Sequence, residues 1–264
     1  MKLLNGKELA GYIKERQAKA VRGLRQHNKV APSLAIVVAN DNPVIDTYIC
    51  VKKRYAEDIL IDVTVHNVDI SEVSDKIREL NIEEKTKGII LQLPLSDPTK
   101  TNELIALITP EKDVDGLTEN SPFTPATAMA IDWLLNGYNI ELAGKKIVII
   151  GRGRLVGAPL YKMWSDAGYD VKMFGRDADL KSELSKADII VSATGAPRLI
   201  TSDMVPINAI IVDAGTASES GTIVGDVDPS VRDRDDITIT PITGGVGPLT
   251  VAALMDNVIT TSRI

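Results

Sequence analysis

The sequence predicts a protein of two α/β domains, and three observations carry that expectation. The first is the stretch from Lys145 to Pro159. Four β-branched residues, Ile147-Val148-Ile149-Ile150, are followed by glycines at 151, 153 and 157 and an amphipathic run from Pro159 to Ala167. The β-branched run suits a buried parallel strand, and strand, glycine turn, helix aims free backbone N–H groups at a phosphate. The second is a series of apolar runs that each end in small residues. Asp170 to Phe174 closes with Gly175-Arg176-Asp177, Asp188 to Ala193 with Thr194-Gly195-Ala196-Pro197, and Ala209 to Val212 with Asp213-Ala214-Gly215-Thr216. Such a series makes a doubly wound, Rossmann-type sheet with a crevice at its strand ends. The third is a βαβ rhythm in the first third of the chain without any glycine-rich turn, which reads as a separate substrate domain. At 264 residues the chain has room for both.

The elements follow in order. Gly6 to Gln26 places Leu9, Tyr12, Ile13, Ala20, Val21 and Leu24 near helical spacing. Pro32 breaks that helix, Ser33 to Ala39 is a short buried strand, and Asn40-Asp41-Asn42-Pro43 is turn chemistry. A helix is expected from about Val44, a strand from Ile61 to Val68, and a helix from Ser71 to Asn81 capped by Ser71. Gly88 to Leu95 is a strand that ends in Gln92 and Pro94. Thr109 to Asn120 reads as a polar connector, and Ser121 or Thr124 as the cap of a helix running to Leu135. The domain boundary is therefore placed at 121/122. Asp236 to Thr240 is a last strand. It leads through Pro241-Ile242-Thr243-Gly244-Gly245-Val246-Gly247-Pro248 into a closing apolar helix, Val251 to Thr261. Pro248 suits a first helical turn, and the glycines suggest backbone close to a ligand.

Composition narrows the function classes. Net charge is −6, and no basic cluster is interleaved with aromatics, so a nucleic-acid partner is unsupported. No apolar run is long enough for a signal peptide or a bilayer span, so no membrane partner is expected. The single cysteine, Cys50, excludes an internal disulfide and fits a reducing, cytoplasmic setting. His27 and His66, the only histidines, lie on different expected elements, so neither a metal site nor a serine–histidine triad is expected. Proton transfer falls to lysine, carboxylate or tyrosine.

Three constellations suit such chemistry, each with a plainer alternative. Tyr48 and Lys52 are four apart on one helix face, or are a half-buried tyrosine beside a solvated lysine. Gln92 ends a strand as a functional amide or a simple strand cap. Asp113 and Asp115 precede Gly116 as ligand-binding or turn-forming aspartates. Tyr-x-x-x-Lys also occurs in short-chain dehydrogenases, but there it follows the nucleotide motif, whereas here it precedes it by about a hundred residues.

Taken together, Tyr48-Ile49-Cys50-Val51-Lys52, Gln92-Leu93-Pro94-Leu95, Lys112-Asp113-Val114-Asp115-Gly116, Gly151-Arg152 with Val156-Gly157, Gly225-Asp226-Val227 and Gly244-Gly245-Val246-Gly247-Pro248-Leu249-Thr250 resemble, in order and over nearly the whole chain, the methylenetetrahydrofolate dehydrogenase/cyclohydrolase family. The resemblance implies an N-terminal folate domain, completed by the C-terminal helix at about 248–264, a C-terminal nucleotide domain at 122–247, a cleft between them, and a homodimer. It implies oxidation of methylenetetrahydrofolate and hydrolysis of the methenyl product, in the one-carbon metabolism that serves purine biosynthesis. Lys52 would be the acid/base, Tyr48 a ring on the pterin, Gln92 a partner tuning Lys52, and Asp115 the grip on the pterin's amino edge. Leu91, Leu93 and the loop Gly244, Gly245, Val246, Gly247, Pro248 and Thr250 would border the folate. Gly151, Arg152, Gly153, Val156, Gly157, Thr194, Gly195, Gly215 and Thr216 would hold the cofactor.

Arg176, at the corner where NAD enzymes carry an acid, favours NADP with Arg152 as a second cation. Asp177 is the argument for NAD. Departures from the family pattern are Gly153 for a serine, Phe123 for a cysteine, Thr243 for a proline and Ile45 for a serine. The rival expectations are a two-domain dehydrogenase of shikimate or amino-acid type and a catalytically silent folate- or nucleotide-binding regulator.

Overall fold

The computed structural model describes residues 1–219 and 222–263. The chain opens with β1 (Lys2–Leu3), α1 (Gly6–Gly23), β2 (Ser33–Val38), α2 (Pro43–Asp58), β3 (Asp62–Asn67), α3 (Val73–Ile82), β4 (Gly88–Leu91) and α4 (Thr101–Ile105). It continues with α5 (Ala126–Gly137), β5 (Ile147–Ile150), α6 (Gly157–Asp166), β6 (Val171–Phe174), α7 (Leu180–Leu184), β7 (Ile189–Ser192) and β8 (Ile210–Asp213). The last elements are β9 (Ala217–Glu219), β10 (Thr222–Val224), α8 (Pro229–Arg232), β11 (Thr238–Ile239) and α9 (Val246–Thr261). Two compact units result, one of Gly11–Ala126 with Val251–Ile264, the other of Met1–Ala10 with Thr127–Thr250.

In the first unit a parallel sheet runs in the order β3-β2-β4. Leu34 to Val38 and all of β4 are buried, which is why both read as unbroken apolar runs. β3 is an edge strand, and its alternation of exposed and half-buried residues shows it. Val73, Ile77 and Leu80 recur at helical spacing on α3. They cover one face of the sheet together with Leu104, Ile105 and Ile108.

In the second unit, among the described residues, six parallel strands run in the order β1-β11-β8-β7-β5-β6. The chain leaves β5 for β6 on one side and returns to β7 on the other, so the order reverses at β5. In open α/β sheets the crevice for a ligand lies at that reversal, outside the strands' carboxyl ends. Gly151, just past β5, has φ +111°, and a Cβ there would stand 2.4 Å from the Ala193 carbonyl oxygen. A Cβ on Gly157 would stand 1.8 Å from the Gly151 oxygen, whereas one on Gly153 meets nothing within 4 Å. Two glycines of the trio are thus forced by packing and the third is not.

Several expectations need correction. Met1–Ala10 belongs to the second unit, where β1 adds beside β11 and Leu4 is fully buried. The boundary falls after Ala126 rather than at 121/122. α3 starts at Val73 with Glu72 before it and no side-chain cap, so Ser71 is not its cap. Ser121 spends its hydroxyl on the Asp113 carbonyl instead of capping α5. The stretch read as a polar connector buries Asp113 and Val114, at 1% and 0% exposure. α9 starts at Val246, not Val251, and Ile264 lies outside the described residues. No described helix is long and apolar enough to cross a membrane.

The glycine contacts make a prediction. Gly157→Ala should cost about 1–3 kcal/mol, the usual toll of overpacking. Gly153→Ser should stay within about 0.5 kcal/mol of the parent, as surface changes do. Urea midpoints of the two variants check this, and equal midpoints would contradict the packing argument.

Candidate active site

Helix α2 is set by Asn42, whose side chain accepts from the Val44 N–H, and by Pro43 in its first turn. Its pitch then puts Tyr48 and Lys52 on one face. Lys52 Nζ donates to Gln92 Oε1 at 2.8 Å. Gln92 lies one residue past β4. Its N–H donates to Val37 O at 2.9 Å and its side-chain amide to Leu93 O at 2.9 Å, which turns the amide oxygen toward the lysine.

The Lys112–Gly116 loop is held from several sides. Lys112 Nζ donates to Leu80 O (2.9 Å) and Glu83 O (2.8 Å) at the end of α3. The Asp113 carboxylate accepts from the Thr118 N–H (2.7 Å) and hydroxyl (2.8 Å), so Asp113 is the turn-forming aspartate of the pair. From α9, Asn257 Nδ2 donates to Val114 O (2.8 Å) and Thr124 O (3.1 Å). Gly116 has φ +70°, and a Cβ there would stand 2.5 Å from Phe123 O.

Asp115 is thereby left free of turn duties and close enough to Lys52 for each charge to act on the other. Burial pushes the Lys52 ammonium below the usual lysine range, and the Asp115 charge offsets part of that. Burial lifts the Asp115 carboxyl above the usual carboxylate range; Lys52 opposes the shift and Asp113 adds to it. The direct partner of Lys52 is the neutral amide, as expected, but a carboxylate also biases it. The reading of Lys52 as a solvated surface lysine does not hold. Tyr48 remains 39% exposed, offering a ring face. Leu91 is spent in the core at 2% exposure, and Leu93 is half-buried against the same cluster.

His66 is half-buried on the edge strand β3, and burial, with Lys76 adding, lowers its pKa; His27 is exposed.

The second unit holds the other expected residues. Gly244 has φ +84° and accepts from the Lys7 N–H (2.9 Å); Gly245 is buried, and its oxygen would lie 1.9 Å from a Cβ on Gly6. Val246, Gly247, Pro248 and Thr250 form the first turns of α9 rather than a loop.

At the crevice, Val156 precedes α6 with φ −135° and no side-chain cap. The Ala158 N–H donates to Gly153 O at 3.1 Å and Pro159 carries none, so Gly157 is the residue of this first turn whose N–H can face a ligand. Arg152 and Arg176 are exposed. A Cβ on Gly175 would be 3.6 Å from Arg152 Nη1 and 2.3 Å from Asp177 Oδ1, so cation and acid meet at this corner. A glycine turn tight enough to bring backbone to a phosphate, an uncapped helix start and two arginines fit a phosphorylated dinucleotide.

Thr194 and Gly195 follow β7; Gly215 and Thr216 follow β8. Behind them lies a group that the sequence reading missed. Asp226 Oδ2 accepts from Ser192 Oγ, Thr194 N and Thr194 Oγ1, while Asp213 accepts from Gly215 N, Asp226 N, Val227 N and Arg232. The only signal was Gly225-Asp226-Val227, a motif without an assigned role.

A Rossmann-type sheet with a dinucleotide crevice and a separate unit carrying a half-buried, desolvated lysine define a two-domain nucleotide-dependent enzyme. The family model described as "Tetrahydrofolate dehydrogenase/cyclohydrolase, catalytic domain" matches residues 4–115, and the "Tetrahydrofolate dehydrogenase/cyclohydrolase, NAD(P)-binding domain" matches residues 125–264. The chain belongs to the tetrahydrofolate dehydrogenase/cyclohydrolase family. It is 37% identical to the "Bifunctional protein FolD" of Aquifex aeolicus over 97% of this chain and 93% of that protein. The crystal structure of the bifunctional enzyme FolD from Campylobacter jejuni superposes with a TM-score of 0.94 at 35% identity, covering 100% of this chain and 99% of that one. The Trypanosoma brucei dehydrogenase-cyclohydrolase, "complexed with NADP cofactor and inhibitor", gives a TM-score of 0.92 at 27% identity, covering 99% and 97%. A shikimate 5-dehydrogenase from Thermus thermophilus shares the fold alone, at 13% identity and a TM-score of 0.57.

The coupling between Lys52 and Asp115 is testable. Asp115→Asn removes the charge that holds the ammonium up, so Lys52 should titrate lower than in the parent. Side-chain NMR of Lys52 across pH measures it, and an unchanged midpoint would show the two groups to be uncoupled.

Proposed function

We propose that this chain oxidises methylenetetrahydrofolate to the methenyl form with NADP as the hydride acceptor, then hydrolyses the methenyl form to formyltetrahydrofolate. The observation that carries this reading is the half-buried Lys52, bonded to the neutral Gln92 and biased by Asp115. A protein that only bound folate or nucleotide would have no use for a desolvated lysine.

Hydrolysis needs two proton transfers. Water loses a proton as it adds to the methenyl carbon, and a ring nitrogen gains one as the bridge opens. A lysine serves both steps only if part of its population is neutral at working pH, and burial moves Lys52 that way. Gln92 orients the amine without adding charge. Asp115 accepts from the pterin's amino edge, a charge-assisted contact, and Tyr48 packs its exposed ring on the pterin. NADP, when bound, supplies the hydride acceptor. For it the Gly157 N–H at the start of α6 offers a backbone donor, the tight turn at Gly151 lets the phosphates approach, and Arg152 and Arg176 offer charge for a 2′-phosphate.

The outer edge of β3 would suit pairing with a second copy in a homodimer. A cytoplasmic setting goes with the lone cysteine. Mixing the pure protein with methylenetetrahydrofolate and each nicotinamide cofactor, and following absorbance, tests the whole reading.

Lys52→Met should lose hydrolysis by about a hundred- to ten-thousand-fold, the usual share of a positioned acid–base group. Dehydrogenation should survive at a reduced level. Both half-reactions measured on one folded preparation check it, and normal hydrolysis would sink the role. Arg176→Ala should weaken NADP binding by about ten-fold or more, the scale of one charge-assisted contact, and leave NAD little affected. Cofactor titrations showing parental NADP affinity would reject the 2′-phosphate assignment.

A further inference from the structure

Asp226 is fully buried, and its two oxygens are used very differently. Oδ2 accepts three bonds from the end of β7: Ser192 Oγ at 2.7 Å, Thr194 N at 2.7 Å and Thr194 Oγ1 at 2.9 Å. Thr194 Oγ1 in turn accepts from the Ala196 N–H at 3.1 Å, so one carboxylate oxygen fixes the turn from 192 to 196. Oδ1 has no hydrogen-bond partner among the described residues. It faces the turn after β8, where a Cβ on Gly215 would stand 2.1 Å from it.

The neighbouring Asp213 has a cation, Arg232 Nη2 at 3.0 Å, and it holds the Asp226 N–H at 3.0 Å. No ion pair to Asp226 is found among the described residues. A buried carboxylate without a cation is a costly group, tolerated here through donors that all come from one turn. That turn also abuts the glycine corner, since a Cβ on Gly151 would strike the Ala193 oxygen.

We propose that Asp226 is a positioning residue for the dinucleotide. It holds Thr194, Gly195 and Ala196, and by contact Gly215, in the shape that receives the cofactor, without touching the cofactor itself. The proposal rests on the NADP reading above. It predicts a selective defect, because hydrolysis of the methenyl substrate consumes no nucleotide, whereas a merely structural acid would depress both activities together.

The test uses Asp226→Ala, Asp226→Asn and Ser192→Ala in the full chain. KM for NADP and kcat of the dehydrogenase are measured beside hydrolysis of methenyltetrahydrofolate without nucleotide, on the same preparations. In Asp226→Ala, KM for NADP should rise by about ten-fold or more, the scale of one charge-assisted hydrogen bond. Saturated kcat should hold within a few-fold, and hydrolysis within about two-fold. Asp226→Asn should recover most of the loss, since its amide oxygen accepts from the same donors. If Asp226→Ala does not fold, Ser192→Ala decides, with KM for NADP raised at least about three-fold and hydrolysis unchanged. An unmoved KM, or both activities falling in parallel, overturns the role. A parent protein that reduces no NADP would instead remove the underlying functional reading.

Discussion

Removing the Lys52 ammonium from water is the constraint from which the smaller unit's arrangement follows. A lone buried ammonium is among the most expensive groups a fold can hold, and it lowers that cost by shedding its proton or finding acceptors. The second route is visible, and burial inclines the group toward the first. The Gln92 oxygen stands 2.8 Å away without adding charge, and Asp115 contributes charge without being the hydrogen-bond partner. The surrounding structure keeps this balance from collapsing into an ordinary salt bridge. Lys112 ties the Asp115 loop to the end of α3, Asn257 ties it to α9, and Asp113 takes over the turn.

The larger unit meets a similar constraint with the opposite sign. Its buried acids, Asp213 and Asp226, bind the N–H groups of the turns after β7 and β8, doing what secondary structure does elsewhere. This changes the meaning of two glycines. A Cβ on Gly215 or Gly225 would stand 2.1 Å from a carboxylate oxygen of Asp226 or Asp213. Those positions are glycine because acids occupy the space, not because a ligand must approach. At Gly151 and Gly157 the cause is different: backbone packs on backbone at the start of α6.

How much of this was legible depends on the range of the interaction. The strands and helices announced themselves through local periodicity. Lys52 stood out by its spacing from Tyr48, Gln92 as a polar residue ending a strand and Asp115 as an acid before a glycine, each with a plainer alternative, and the family resemblance supplied their roles. β1 did not, because Lys2 and Leu3 become a strand only by pairing with Thr238 and Ile239, some 236 residues away. The strands β9 and β10, three residues each, were likewise too short to show a periodicity. Asp113 and Asp115 looked alike in sequence. Only the Thr118 donors and the packing of Val114 separate a turn-forming acid from a free one. The start of α9 was misplaced because glycines at 244, 245 and 247 read as loop, whereas two of them sit against Lys7 and Gly6 and the third is helical.

The departures from the family pattern sort by the same physics. Ile45 is 2% exposed and Phe123 9%, so a hydroxyl or thiol has been replaced by apolar bulk in places that bury it. Thr243 is exposed, and nothing in the structure explains it. Gly153 is the departure with a chemical consequence. Its position is open, so the missing hydroxyl is not a matter of space. On the NADP reading, phosphate binding at this turn then leans on the Gly157 N–H at the start of α6 and the charges of Arg152 and Arg176. Exposed charges are screened by salt over about 10 Å at 0.1 M, while a hydroxyl contact is not. Losing the hydroxyl therefore moves cofactor affinity toward the ionic-strength-sensitive side, without touching the lysine to which hydrolysis is assigned in the proposed function.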